Sequence, residues 1–259
     1  MSTPRFPQSL SIVLPAFNEE GNIERAARQC LDVGKAHWSK CEVIVVDDGS
    51  KDDTAKVVRA VAAEHPEVRL ISFEKNRGYG AAIAEGFRAA RHDLVFFTDS
   101  DLQFDVRELP DLMPLLDHAD VVFGFRVYRY DSVLRCLLSW VYNRIVRVLF
   151  LVRVRDVDCS FKLFTRPVVD RLELESKDFF IDTEMVARSS RMGARVVEKG
   201  VRHYPRTAGH TSVRPSHIPK TLWTVARMWF RIWLPGFSGA KRTPRMTDPA
   251  PSRAPAATP

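Results

Sequence analysis

Leu94-Val95-Phe96-Phe97-Thr98-Asp99-Ser100-Asp101-Leu102-Gln103 decides the fold. An apolar run leads straight into two carboxylates. A short continuous apolar run marks a strand covered on both faces, as in parallel sheets. Outward from it the pattern repeats. Leu10–Leu14, Glu42–Val46, Val68–Phe73 and Val121–Phe123 read as strands. Between them, Asn22–Ala36, Asp52–Ala63, Ala81–Ala90 and Arg107–Leu116 read as helices. Strands interleaved with helices predict an α/β fold, with a mostly parallel central sheet and helices on both faces. In such sheets ligands bind beyond the carboxyl ends of the strands.

Those ends carry the polar chemistry. Pro15-Ala16-Phe17-Asn18-Glu19-Glu20 follows the first strand and Asp47-Asp48-Gly49-Ser50 the second. Asn76-Arg77-Gly78-Tyr79-Gly80 follows the third. Two carboxylates spaced i, i+2 at a strand end can hold one hard cation, Mg²⁺ or Mn²⁺, together with substrate phosphates. Asp99 and Asp101 are therefore the expected metal ligands, and Gln103 is positioned to add an amide oxygen. Asp48 is expected to accept hydrogen bonds from a base or ribose, while Ser50 or Asp52 caps the next helix. Pro15 shapes the first turn, Phe17 can pack against a base plane and Glu19 supplies an acceptor. The glycines after Asn76 form neither a GxGxxG fingerprint nor a Walker lysine pattern, which argues against dehydrogenase and P-loop readings. They suit close approach of the backbone to a nucleotide.

The chain has 259 residues, 45% of them hydrophobic, enough for one substantial core. Its net charge of +7 implies an anionic partner. Cys30, Cys41, Cys136 and Cys159 form no CxxC pair and read as free thiols in a reducing compartment. Residues 1–9 lack an apolar leader core, and no stretch approaches the roughly 20 apolar residues that span a bilayer. A cytosolic or peripheral protein is expected. Past residue 125 the composition turns basic: Arg126–Arg155 holds seven arginines and one acid, Asp131. Lys199–Thr247 holds ten Lys or Arg and no acid.

Taken together, the motifs resemble the inverting family 2 glycosyltransferases of GT-A fold, and especially the polyprenol-phosphate or dolichol-phosphate mannose synthase branch. The matching pieces are the four strand-end loops, Gly124-Phe125-Arg126, Asp156-x-x-x-Ser160-Phe161-Lys162-Leu163 and Arg206-x-x-Gly209-x-x-Ser212. The resemblance implies transfer of a hexose or N-acetylhexosamine from a GDP- or UDP-sugar to a polyprenyl phosphate of dolichyl or decaprenyl type. It implies that Pro15, Ala16, Phe17, Glu19, Val46 and Asp48 contact the nucleoside, with Asn76 and Gly78 in the same donor-binding set. Asp99, Ser100 (through its backbone), Asp101 and Gln103 would surround the metal and diphosphate. Arg126 would bind the acceptor phosphate, and Arg206 a donor or acceptor phosphate. The chain departs from the family at Phe17, where tyrosine is common, at Lys162, where arginine is frequent, and at Val213, where a lysine often follows the serine. Arg214 can substitute for that lysine.

A lipid phosphate acceptor also has an independent physical basis. The second pKa of a phosphate monoester is about 6, so it is mostly ionised near neutral pH and can attack without a strong base. It needs positive charge instead, for which Arg126, Arg129, Arg135 and Arg206 are candidates. Were the acceptor a hydroxyl, Asp182 or Glu184 would serve as base; either could also line the sugar site. A nucleic-acid-binding reading accounts for the arginines and leaves the acidic strand ends unexplained, so no nucleic acid partner is expected. Val133–Val152 and Ile218–Phe237 read as interfacial helices, with Arg227 and Arg231 on one face and Trp223, Phe230, Trp233 and Leu234 on another. A membrane surface at the cytoplasmic side, and with it a membrane-protein partner, is the expectation. The expected layout is an extension over 1–9, a transferase domain over 10–215 with a membrane-facing segment at 133–152, an interfacial helix over 216–237 and a disordered tail over 238–259.

Overall fold

The computed structural model describes residues 6–128, 133–205 and 218–233, with backbone alone at 133–135 and 218–222. In chain order the elements are β1 (Phe6–Ala16), α1 (Ile23–His37), β2 (Trp38–Asp47), α2 (Thr54–Glu64), β3 (Val68–Ser72), α3 (Tyr79–Ala89) and β4 (Leu94–Thr98). A 3₁₀ helix (Val106–Asp117), β5 (Val121–Arg126), α4 (Val133–Phe150), β6 (Phe161–Thr165), α5 (Arg166–Val169), α6 (Ile181–Arg191), β7 (Val196–Val201) and α7 (Ile218–Trp233) follow.

The strands form one sheet in the order β3-β2-β1-β4-β6-β5-β7. β1 pairs in parallel with β2 and β4, and β2 with β3. β6 alone runs the other way, antiparallel to both β4 and β5. That reversal positions the site: Phe161, at the start of β6, lies opposite Thr98, at the end of β4. The segment entering β6 thus meets the segment leaving β4.

Alternation along the strands feeds two cores. Leu10, Ile12, Leu14, Val43 and Val45 pack beneath α1, α2 and the 3₁₀ helix. Val13, Ile44, Val46, Val95 and Phe97 pack beneath α3, α4, α6 and α7. Both faces are therefore apolar, which is why the strands read as continuous runs.

The structure departs from expectation in four places. β1 starts at Phe6, inside the expected extension, because Phe6 packs on the buried Trp38 with ring centroids 5.1 Å apart. The helix after β4 is 3₁₀ throughout, with Pro110 and Pro114 inside it. Each proline removes an N–H donor from an α-helical ladder. Ser50 does not cap α2; its hydroxyl accepts from the Asn18 N–H, while Asp52 accepts from the N–H and hydroxyl of Thr54. The α7 aromatics do not share one face. Trp223 and Phe230 are exposed with Arg227 and Arg231, whereas Trp229 and Trp233 pack against the core formed by Val225, Met228 and Ile232. Arg129, Arg206, Gly209, Ser212, Val213, Arg214, Leu234 and the 238–259 tail lie outside the described residues.

α3 lies close on β1 because Gly86 has no side chain. A Cβ there would stand 2.3 Å from Val13 Cγ1, and Val13 is wholly buried. Overpacking such a site costs typically 1–3 kcal/mol. Gly86→Val is expected to fall near the upper end, about 3 kcal/mol, read as a lower urea midpoint at unchanged m-value. An unchanged midpoint would mean that the helix moves off the strand without cost.

Candidate active site at the carboxyl ends of the sheet

Asp99 and Asp101 leave the end of β4 as expected. Asp101 is 4% exposed and Asp99 is partly buried. Burial first, and then the neighbouring charge of Asp101, push the Asp99 carboxyl up to about 7. Asp99 Oδ1 accepts from the Tyr79 hydroxyl at 2.7 Å and is also bonded to Ser160. Asp101 Oδ1 accepts from the Gln103 N–H at 3.1 Å. The Gln103 side-chain amide donates to the Tyr204 carbonyl at 3.1 Å, tying this loop to the segment after β7. Ser100 is buried and its hydroxyl donates to the Pro15 carbonyl at 2.8 Å, so the β4 and β1 ends are bolted together.

The donor set fits a divalent cation. It is all oxygen, its two carboxylates are crowded and partly desolvated, and a doubly charged ion would relieve their repulsion. Among the described residues no group of three His, Cys, Asp or Glu is gathered as a metal site. Asp99 and Asp101 would therefore share the ion with water and substrate phosphate, the usual habit of Mg²⁺ sites.

The other loops interlock around this pair. The Asp48 N–H donates to the Ala16 carbonyl at 2.8 Å. The Asp48 carboxylate accepts from the backbone N–H of Arg77 at 2.6 Å and of Gly78 at 3.0 Å. It holds the third loop to the second. Gly78 sits at φ 101°, and a Cβ there would stand 2.1 Å from the Lys177 carbonyl oxygen. Only glycine lets the loop pass so near that backbone. Val46, expected at the nucleoside, is wholly buried under α3, so its side chain offers no surface to a ligand. Glu19 accepts from the Asn22 side chain at 2.7 Å, and its carbonyl accepts from the N–H groups of Asn22 and Ile23 at the start of α1. Phe17 and Asn76 stand exposed at the edge of the cleft.

The acids and cations of the second half behave differently from one another. Arg126 is bound bidentately to Asp156, at 2.6 and 2.7 Å, and is 10% exposed. Its forked donors are engaged by that carboxylate. Asp182 is buried and paired with Lys162, which is wholly buried and also donates to the Cys159 carbonyl at 2.6 Å. Burial raises the Asp182 carboxyl, and Lys162 draws it back. Glu184 is wholly buried, and its oxygens take the N–H groups of Glu175 and Ser176 and the Arg188 guanidinium. That corrects its candidacy as a base: it is a structural clamp. Tyr79, Ser160, Asp156 and Lys162, to which the motifs assign no role, hold the carboxylate pair and its surroundings. Only Lys162 offered a local signal, a lone charge inside the apolar run Phe161-Lys162-Leu163-Phe164. Asp158 was passed over; burial first, then Asp156, push it up to about 7.

Residues 11–173 match the family described as Glycosyl transferase family 2. The chain belongs to that family. It is 34% identical over 215 residues to the glycosyltransferase AglD of Haloferax volcanii, covering 79% of this chain and 34% of that one. It is 34% identical over 176 residues to the undecaprenyl-phosphate 4-deoxy-4-formamido-L-arabinose transferase of Shewanella sediminis, covering 66% of this chain and 53% of that one. The chain thus spans a third to about half the length of these relatives. The fold is that of glucosyl-3-phosphoglycerate synthase from Mycobacterium tuberculosis, solved with Mn²⁺ and UDP-glucose: TM-score 0.65, 20% identity, covering 87% of this chain and 79% of that one. This family 2 member therefore has the GT-A fold.

Removing one partner of a buried ion pair typically costs about 3–5 kcal/mol, because the other charge is left unpaired. Lys162→Met is expected to lose that much in chemical denaturation, and Lys162→Met/Asp182→Leu to recover most of it. Equal losses in both variants would mean that the two charges do not stabilise each other.

Proposed function

We propose that this chain transfers a hexose or N-acetylhexosamine from a GDP- or UDP-sugar to a polyprenyl phosphate, with inversion, and that Asp99 and Asp101 hold Mg²⁺ or Mn²⁺. The carrying observation is the crowded carboxylate pair at the end of β4, set at the edge where four strand-end loops meet. When bound, the cation neutralises charge on the nucleotide diphosphate leaving group. Tyr79 and Ser160 orient Asp99 by hydrogen bonds. Phe17 offers a partly exposed ring for a base, and the 77–78 backbone fixed by Asp48 forms the floor beside it. The acceptor class comes from relatives such as the undecaprenyl-phosphate arabinosyl transferase. It also agrees with the chemistry of the acids, since Asp182 is engaged by Lys162 and Glu184 by main-chain donors, leaving no poised base there for a hydroxyl acceptor.

On this reading the transferase domain begins with β1 at Phe6, and α7 (Ile218–Trp233) is an interfacial helix. Among the described residues no helix is long and apolar enough to cross a membrane. α4 nevertheless exposes Leu137, Leu138, Trp140, Val141, Val148 and Leu149, and α7 exposes Trp223 and Phe230. A patch of that kind marks an interaction site, and a peripheral position on the cytoplasmic membrane face, in reach of a lipid acceptor or a membrane-protein partner, accounts for it.

The test supplies membranes, Mn²⁺ or Mg²⁺ and labelled GDP- and UDP-sugars, followed by organic extraction. Label is expected in the lipid fraction and lost with EDTA. Asp99→Ala and Asp101→Ala should each cut it about a hundredfold or more, a loss of several kcal/mol of charge stabilisation. Label confined to water-soluble product would overturn the acceptor.

A further inference from the structure

Between the end of β5 and α4 lies a cavity of about 320 Å³. Phe125, Trp140, Arg126, Arg144, Arg147 and Arg155 line it, and Asp156 is the only acid among its lining residues. Arg126 is already bound to that acid. Three guanidinium charges therefore remain without a lining carboxylate. Arg147 is fixed, donating to the carbonyls of Val154 and Arg155, both at 2.6 Å. Arg155 is 70% exposed; its Nε stands 4.0 Å from Glu198 Oε2 and its guanidinium lies 4.7 Å over the Phe125 ring. No described residue accepts a hydrogen bond from Arg144, which is exposed.

The cavity opens on an unusual helix face. Leu137, Trp140, Val141, Arg144 and Val148 follow the three- and four-residue spacing of one helical stripe and are all exposed. One arginine stands inside an apolar stripe, beside a cationic hollow. That pattern complements an amphiphile with one anionic head and an apolar chain. It is also joined to the carboxylate site. Asp156 lines the cavity and opens the segment that ends at Ser160, whose hydroxyl lies 3.3 Å from that of Tyr79, the Asp99 partner.

We propose that this cavity seats the phosphate head of the lipid acceptor, gripped by Arg144 and Arg155, with Trp140 against the first isoprene units and the chain along the α4 stripe. The proposal rests on the acceptor reading above, and it moves the phosphate grip from Arg126 to two arginines that no motif singled out.

The full chain is titrated with geranyl phosphate, geraniol and inorganic phosphate, followed by calorimetry and by tryptophan fluorescence with Trp140→Phe as the reference. Geranyl phosphate is expected to bind at least tenfold more tightly than either fragment and to change the Trp140 signal. Arg144→Ala and Arg155→Ala should each weaken it tenfold or more and raise the acceptor KM with a smaller change in kcat. Arg153→Ala removes the same charge outside the cavity lining and should change either value less than twofold. Equal losses in all three variants would reduce the effect to bulk charge and overturn the proposal, as would inorganic phosphate binding as tightly as geranyl phosphate. If lipid-linked sugar forms but Arg144→Ala leaves the acceptor KM unchanged, the cavity assignment fails while the transferase reading stands. If no sugar donor yields lipid product and geranyl phosphate still binds through Arg144, the cavity stands and that reading fails.

Discussion

Two like charges forced together at the buried end of β4 set the terms for everything around them. Asp99 and Asp101 cannot both ionise comfortably in a half-desolvated corner, and the upward push on Asp99 records that strain. The surroundings answer with hydroxyl donors rather than with a direct ion pair. Tyr79 and Ser160 share Asp99, while the buried Lys162 is committed to Asp182. Repulsion is thus contained without being cancelled, a state suited to the cation proposed for this pair. The reversed strand β6 makes this possible, because both Ser160 and Lys162 arrive from its start.

The remaining polar groups mostly bind main chain. Asp48 carries the N–H groups of Arg77 and Gly78, Glu184 those of Glu175 and Ser176, and Ser50 that of Asn18. A carboxylate accepting backbone N–H bonds fixes a loop more firmly than a side-chain pair at the surface, where ion pairs contribute about 0–1 kcal/mol. The 175–178 segment is itself a support, since the Lys177 carbonyl accepts from the Gly80 N–H at 3.1 Å. The loops after β2 and β3 are therefore held by the protein's own main chain.

Much of the architecture was legible because a strand covered on both faces needs unbroken apolar residues, and Val43–Val46 and Leu94–Phe97 supply them. The strand-end loops followed from the rule that such sheets bind at their carboxyl edge. Three things were not legible. Strand direction is not written in Phe161-Lys162-Leu163-Phe164, which reads the same whether β6 runs with or against β4. Whether an acid meets a ligand or a backbone N–H depends on what tertiary packing brings near it, so Asp48 and Glu184 looked like functional acids. The aromatics of α7 share a composition but not a face, and only the position of the neighbouring α4 decides that Trp229 turns inward to donate to the Leu149 carbonyl at 2.8 Å.

The sheet order carries one more implication. β1, β2, β3 and β4 present the loops proposed to hold the nucleotide, whereas β5, α4 and the segment before β6 present the arginines. In the sheet the two sets join where β6 pairs with β4, and the Tyr79 and Ser160 hydroxyls, 3.3 Å apart, also link them. A lineage could therefore exchange the 126–156 stretch, and with it the proposed anion seat, while the half built on β1 to β4 kept its shape. Donor and recipient preferences would then drift independently, like two halves of a lock cut by different hands.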